Sequence, residues 1–292
     1  MTATPWPISS FTLSTALGHG NAAALAALQA QRGGLAKTQF LDAELPTWIG
    51  VVPGLDDVRL PAGLQEFDCR NNRLAWLALQ QDGLLDAVQR ARARWGAHRI
   101  AVLLGTSTSG LLHTELAYRR RGPDGALPAD FVYAPTHNTN SVAAFVSQAL
   151  RLDGPSWVVS TACSSSAKVF ASAARLIAAG LVDAALVGGV DSLCLTTLYG
   201  FNSLELLSPE VCRPWDAQRR GLSLGEGAAF ALIERDLQSA GSSAQGWLLG
   251  AGESNDGYHM SSPHPQGLGA VQAMRAALAD AAIEPAAIDY VN

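Results

Sequence analysis

The spacing of apolar residues along the chain switches repeatedly between short β-like runs and helical periods. Residues 8–17 form an apolar and hydroxyl-rich run that predicts a first strand. Residues 21–31 are Ala-rich and stop at Gly33-Gly34, which predicts a helix. Over 71–95, Leu74, Leu77, Leu84, Leu85 and Val88 recur at roughly helical spacing, enough for one or two helices. RIAVLL at 99–104 reads as a buried strand ended by the small polar run GTSTSG. A helix at 141–150, a strand at 157–160 (WVVS), a helix at 164–179 and a strand at 184–187 (AALV) follow. Two later strands, 228–234 and 247–251, flank the polar stretch 239–246 and are candidates for antiparallel pairing. A further amphipathic helix is expected at 267–282, and a strand begins at 288–291. No short-period repeat is detectable.

This alternation predicts an α/β protein with a largely parallel sheet covered by helices. With 292 residues, 48% of them hydrophobic, the chain can bury a large core in one or two domains. No apolar stretch approaches the roughly 18 residues of a membrane span, and residues 1–10 carry no basic, apolar leader pattern. The formal charge of −5 and the lack of a basic run argue against nucleic-acid binding. Cys69, Cys163, Cys194 and Cys212 match no zinc or CxxC spacing and read as reduced thiols of a cytoplasmic protein. A strand starting at 288–291, where the chain stops, is an odd end for a domain, so a truncated protein is expected.

The most informative chemistry lies in WVVSTACSSSAKVFASAARLIAAGLVDAALVGGV. A β-branched strand runs into Thr161-Ala162-Cys163, and a helix with apolar residues on nearly every face follows, which predicts a buried helix. A helix start presents unpaired N–H groups and partial positive charge, so it stabilises a thiolate and can hold an oxyanion. Small neighbours leave room for an acyl group. A buried cysteine acting as a small core hydrophobe is the alternative.

STACSSSA closely resembles the nucleophile motif of the β-ketoacyl-acyl-carrier-protein synthases. VGGVDSL resembles that family's Gly-Gly-x-Glu/Asp strand end. GFNSLELLSPEVCRPWD, GEGAAFALIERD, NDGYHMSSPHPQG and AALADAAIEPAAIDYVN resemble later segments in the same order, while IAVLLGTSTSG and ISSFTLSTALG fit more loosely. The resemblance implies a thiolase-like fold: two βαβαβαββ halves in five layers, the second half incomplete here. It divides the chain into residues 1–240, carrying the nucleophile, and 241–292, the start of the second half. It implies decarboxylative Claisen condensation of an acyl group on Cys163 with malonyl-carrier protein, in fatty-acid or polyketide synthesis. The Cys163 N–H would be half of the oxyanion hole. It further implies Thr108 and Phe201 as walls of the acyl pocket and Ser261 as a contact to the pantetheine arm. No separate cofactor is implied, because the carrier protein's phosphopantetheine is part of the substrate. The implied partners are acyl carrier protein and a second subunit, as a homodimer or as a heterodimer with a related synthase subunit.

Three departures stand out. The family's two histidines and lysine, which begin with an HGT motif, are not matched in this chain, which is therefore expected to be inactive alone. Arg220, in RRGLSLGEGA, stands where the family has an acid, so local ion pairing must differ. The first strand lacks the usual Val-rich start. Arg70 and Arg73 read as solvated surface charges or as contacts to an acidic carrier protein. His137-Asn138 read as structural, and His259 and His264 lack matching metal ligands. GLSLG satisfies G-x-S-x-G and would make Ser223 a hydrolase nucleophile, but that elbow requires a strand before the serine and a helix after it. GHGNAA with Asp42 resembles a short dinucleotide fingerprint. A non-catalytic chain-length-factor-like scaffold of the same fold is a further alternative, against which Cys163 argues.

Overall fold

A computed structural model of the chain describes residues 4–37, 40–237, 244–259 and 262–292. The opening run forms β1 (Trp6–Thr15), turns back as the short β2 (Gly18–His19) and enters helix α1 (Gly20–Gln29). The strands β3 (Leu35–Ala36) and β4 (Ile49–Gly50) belong to a small second sheet. The long helical pattern at 71–95 resolves into α2 (Arg70–Leu79) and α3 (Leu84–Trp95), broken where Asp82 and Gly83 adopt positive φ. Next come β5 (Ile100–Gly105), α4 (Leu111–Arg119), α5 (Tyr133–Thr136), α6 (Ser141–Leu150) and β6 (Ser156–Val159). A 3₁₀ turn at Ala162–Ser164 leads into α7 (Ser165–Ala178), followed by β7 (Ala184–Asp191) and α8 (Leu195–Ser203). The strand β8 (Leu224–Gly225) joins the small sheet, and β9 (Gly227–Glu234), β10 (Gly246–Leu248) and α9 (Leu268–Ala281) complete the named elements.

The main sheet has the order β10-β1-β9-β7-β5-β6, with β2 paired to β1. Its strands β6, β5 and β7 are mutually parallel, as expected for crossovers through helices. The other four ladders are antiparallel, so the sheet is mixed rather than largely parallel. The physical reason lies in the connection after β7. The chain passes through α8, a long loop and β8 without crossing back over the sheet, so β9 enters beside β7 in the opposite direction. The expected pairing of the strands at 228–234 and 247–251 does not form. The strand β1 lies between β9 and β10 and takes both ladders.

Strand periodicity divides the core into two layers. From β5, Ile100, Val102 and Leu104 face α2, α3 and α6, where Leu74, Phe145 and Phe230 are buried with them. Ala101 and Leu103 face the other way, toward Val169, Ala173 and Ile177 of α7. The helix α7 is therefore buried on one face only. Ser166, Ala167, Arg175 and Ala178 are exposed among the described residues, whereas the sequence predicts burial on nearly every face. The amphipathic helix α9 buries no residue, and Leu268, Val271 and Met274 are exposed. Residues 288–291 form no strand, since no neighbouring strand among the described residues pairs with them.

Three short helices, α4, α5 and α8, escaped the pattern reading. The helix α8 (LTTLYGFNS) contains two threonines and a glycine, all poor helix formers. Its start is held instead by Glu115 of α4, whose carboxylate accepts Leu195 N at 2.9 Å, Thr196 N at 2.7 Å and Thr196 Oγ1 at 2.5 Å. A carboxylate there satisfies orphan N–H groups and complements the helix dipole. No helix of the described residues is long and apolar enough to cross a membrane.

A buried carboxylate joins the two sheets. Glu226, between β8 and β9, has a fully buried side chain. It accepts Nε and Nη2 of Arg70, each at 2.7 Å, and the backbone N–H groups of Val52 (3.0 Å) and Leu193 (3.1 Å). Replacing Glu226 with alanine leaves a nearly buried guanidinium and two backbone donors without their acceptor. The expected loss is about 3–5 kcal/mol of stability, checked by denaturant or thermal unfolding of the variant.

Candidate active site

The chain leaves β6 at Val159 and must turn sharply to start α7 on the sheet face. It does so by placing Ala162 at φ +53°, a left-handed conformation that costs a non-glycine residue about 1–3 kcal/mol. The following serines hold this turn. Ser165 Oγ donates to Ala162 O at 2.6 Å and accepts Thr161 N at 2.9 Å, and Ser164 Oγ donates to Thr161 O at 3.0 Å. These serines thus fasten the turn rather than merely leaving space. Cys163 sits at its apex and is exposed, two residues before the first residue of α7. The core-hydrophobe alternative therefore does not hold for this residue.

Cys163 lines a cavity of about 410 Å³ at the C-terminal ends of β5 and β7. Thr15, Gly105, Thr106, Ser166, Gly189, Asp191 and Gly227 also line it. Two paired glycines allow the turn to approach the sheet. Gly105 and Gly189 face each other across β5 and β7. A Cβ at Gly105 would lie 2.5 Å from the backbone of Ser165 and Ser166, and one at Gly189 would lie 2.5 Å from Ser166 Cβ. Side chains at either strand position would push the start of α7, and with it Cys163, off the sheet.

The remaining expected site residues are dispersed. Thr108 is buried on the loop after β5. Its hydroxyl donates to Asp191 at 3.1 Å and accepts Ser192 N at 3.0 Å, and Thr106 rather than Thr108 lines the cavity. Phe201 is partly buried on α8 and is not among the residues lining the Cys163 cavity. Ser261 lies outside the described residues. The residues missed were Thr106, Ser166 and Asp191. The signal for Asp191 was present in VGGVDSL, but its partners come from a distant loop.

The reading of two arginines changes. Arg70 and Arg73 are not free surface charges. Arg70 is nearly buried between Glu226 and Asp56, and Arg73 binds Asp68 at 2.5 Å and 2.6 Å. His137 pairs with Thr114 Oγ1 at 2.5 Å and packs on Tyr133, a structural setting. His264 packs on Tyr258, and among the described residues no group of three or more His, Cys, Asp or Glu could hold a metal. Arg220 pairs with Glu210 at 3.3 Å. Ser223 has a buried hydroxyl and is followed by β8, not by the helix a nucleophile elbow needs. The glycines at 18 and 20 follow an antiparallel β1–β2 turn, not the parallel βαβ unit of a dinucleotide site.

The sheet order, the helices on both faces and a cysteine turn at the strand ends define a thiolase-like α/β fold. The family profile described as beta-ketoacyl synthase, N-terminal domain, matches residues 69–239, and that of the C-terminal domain matches residues 245–292. The chain belongs to the beta-ketoacyl synthase family. Nodulation protein E of Rhizobium sp. (strain N33) is 34% identical over 199 residues, covering 67% of this chain and 49% of that protein. The 3-oxoacyl-acyl-carrier-protein synthase 2 of Vibrio cholerae is 33% identical over 205 residues, 67% of this chain and 50% of that protein. The chain thus spans about half the length of the curated relatives it matches. The ketosynthase ApeO, solved in complex with its chain length factor ApeC from Xenorhabdus doucetiae, superposes with a TM-score of 0.84. It is 36% identical, over 99% of this chain and 71% of that one. A beta-ketoacyl synthase from Burkholderia phymatum superposes at 0.83 with 27% identity, over 100% and 73% of the two chains.

Two outcomes follow from this geometry. Gly189→Ala is expected to cost about 1–3 kcal/mol through overpacking and to slow alkylation of Cys163, read by unfolding and by timed iodoacetamide labelling. In the native protein, the same reagent near neutral pH should label Cys163 and spare Cys69 and Cys194. Both of these are buried, and desolvation raises the thiol pKa of Cys194 and pushes that of Cys69 up to about 11. Peptide mass mapping distinguishes the sites.

Proposed function

We propose that Cys163 is the acyl-accepting nucleophile of a β-ketoacyl-acyl-carrier-protein synthase acting in fatty-acid or polyketide synthesis. The observation that carries this reading is the exposed sulfur on a strained turn, at the head of α7 and beside a cavity at the strand ends. The thiolate attacks the carbonyl of an acyl-pantetheine thioester. The carrier's pantetheine leaves as a thiolate that takes up a proton, and the acyl group stays on Cys163. The backbone N–H of Cys163 and the N-terminal end of α7 supply positive potential for the oxyanion formed on the way. In the second half-reaction, malonyl-carrier protein loses carbon dioxide. The resulting carbanion attacks the Cys163 thioester, forming the new carbon–carbon bond and releasing the sulfur. No histidine is among the residues lining the Cys163 cavity, so the residues described here support the acylation half-reaction most directly.

On this reading residues 1–240 form the nucleophile-bearing unit and residues 241–292 open the second. The implied partners are acyl carrier protein, whose pantetheine arm brings the acyl group, and a second synthase subunit, identical or related. The edge strand β6 supports such a subunit. Among the described residues its outer edge is unpaired, it carries no charge and Trp157 is exposed on it, which is a surface suited to strand pairing. The presence of Cys163 favours the synthase over the chain-length-factor role.

Incubation of the full-length protein with acyl-carrier protein should add one acyl mass to the peptide containing Cys163, and Cys163→Ala should abolish it. A native protein that stays unmodified while its thiol remains alkylatable would sink the proposal.

A further inference from the structure

Among the described residues, the cavity beside Cys163 is lined by one ionisable side chain besides the nucleophile, Asp191, at the end of β7. Its carboxylate receives five hydrogen bonds, all from one tripeptide of the loop after β5. Oδ1 accepts Thr106 Oγ1 at 2.8 Å, Ser107 N at 2.7 Å, Thr108 N at 3.1 Å and Thr108 Oγ1 at 3.1 Å. Oδ2 accepts Ser107 Oγ at 2.6 Å. Consecutive backbone N–H groups folded around a carboxylate form the kind of concavity that binds anions. Here the anion is the protein's own.

The loop does not hold this shape by local preference. Ser109 adopts φ +44°, and Gly110 runs so close to Thr136 that a Cβ would lie 2.2 Å from its carbonyl oxygen. Thr106 Oγ1 accepts Ser109 N at 3.0 Å, and Thr108 Oγ1 accepts Ser192 N at 3.0 Å, so the two strand ends are laced through these hydroxyls. Asp191 is the common acceptor. With its oxygens engaged by five donors, it is poorly placed to move a proton, and its influence runs through the loop. Thr106, which lines the cavity, is one of the groups it holds.

We propose that Asp191 is a positioning residue that fixes Thr106, in the wall of the Cys163 cavity, together with the loop behind it, and thereby sets which acyl chain lengths the sulfur accepts. This inference rests on the acyl-transfer reading of Cys163. It concerns selectivity among acyl groups, not the reactivity of the thiol.

The test uses the full-length protein and a series of straight-chain acyl N-acetylcysteamine thioesters from acetyl to dodecanoyl. Acylation of Cys163 is followed by mass, with iodoacetamide alkylation measured in parallel. Asp191→Asn keeps the size but turns one acceptor into a donor facing donors. It is expected to change the ratio of dodecanoyl to acetyl loading by about tenfold, with alkylation altered by less than about threefold. Ser107→Ala removes a single donor from an exposed position, where folding is not at stake, and should shift the ratio in the same direction. An unchanged ratio in both variants, or alkylation that falls in step with acylation, overturns the proposal. A wild-type protein that is alkylated but never acylated defeats the acyl-transfer reading itself, and this inference with it.

Discussion

The closeness of the α7 start to the sheet governs the site. The first turn of α7 rests directly on the paired glycines Gly105 and Gly189, at a distance where any Cβ would overlap the backbone of Ser165 and Ser166 or the Ser166 side chain. That contact forces the chain between β6 and α7 to reverse within a few residues. The cost appears as the left-handed Ala162, and the hydrogen bonds of Ser164 and Ser165 offset it. The exposed cysteine is a consequence of this geometry. A longer or looser turn would carry the sulfur away from the strand ends and from the start of α7.

Two carboxylates at the same end of the sheet keep that arrangement rigid. Glu226 ties α2, the end of β4 and the exit of β7 through Arg70, Val52 and Leu193. Asp191 ties the exits of β5 and β7. Each takes backbone donors that would otherwise be unpaired where strands end, which is why polar groups can be buried there without large penalty. The same end of the sheet thus holds both the nucleophile and the groups that shape its surroundings. The opposite end carries ion pairs such as Arg99 with Asp183, remote from the chemistry.

The two faces of the sheet are unequal. The face toward α2, α3 and α6 buries large side chains, among them Phe145, Leu74 and Phe230. The α7 face buries smaller side chains, Ala101, Ala173 and Ala185 among them.

Much of this was legible from residue order. Continuous apolar runs located the central strands and helical periods the helices that cover them to within a few residues, because burial leaves a local pattern. The cysteine was recognisable from its setting between a β-branched strand and a small-residue helix start. What residue order could not convey involved partners far apart in the chain. The strand β1 sits between β9 and β10, Glu115 starts α8, Arg70 is committed to Glu226, and Thr108 is drawn into the Asp191 network instead of a pocket wall. Those outcomes depend on which donor or strand edge arrives beside which acceptor. Only the tertiary structure decides that, since hydrogen bonds and ladders are pairwise while sequence patterns describe one partner at a time.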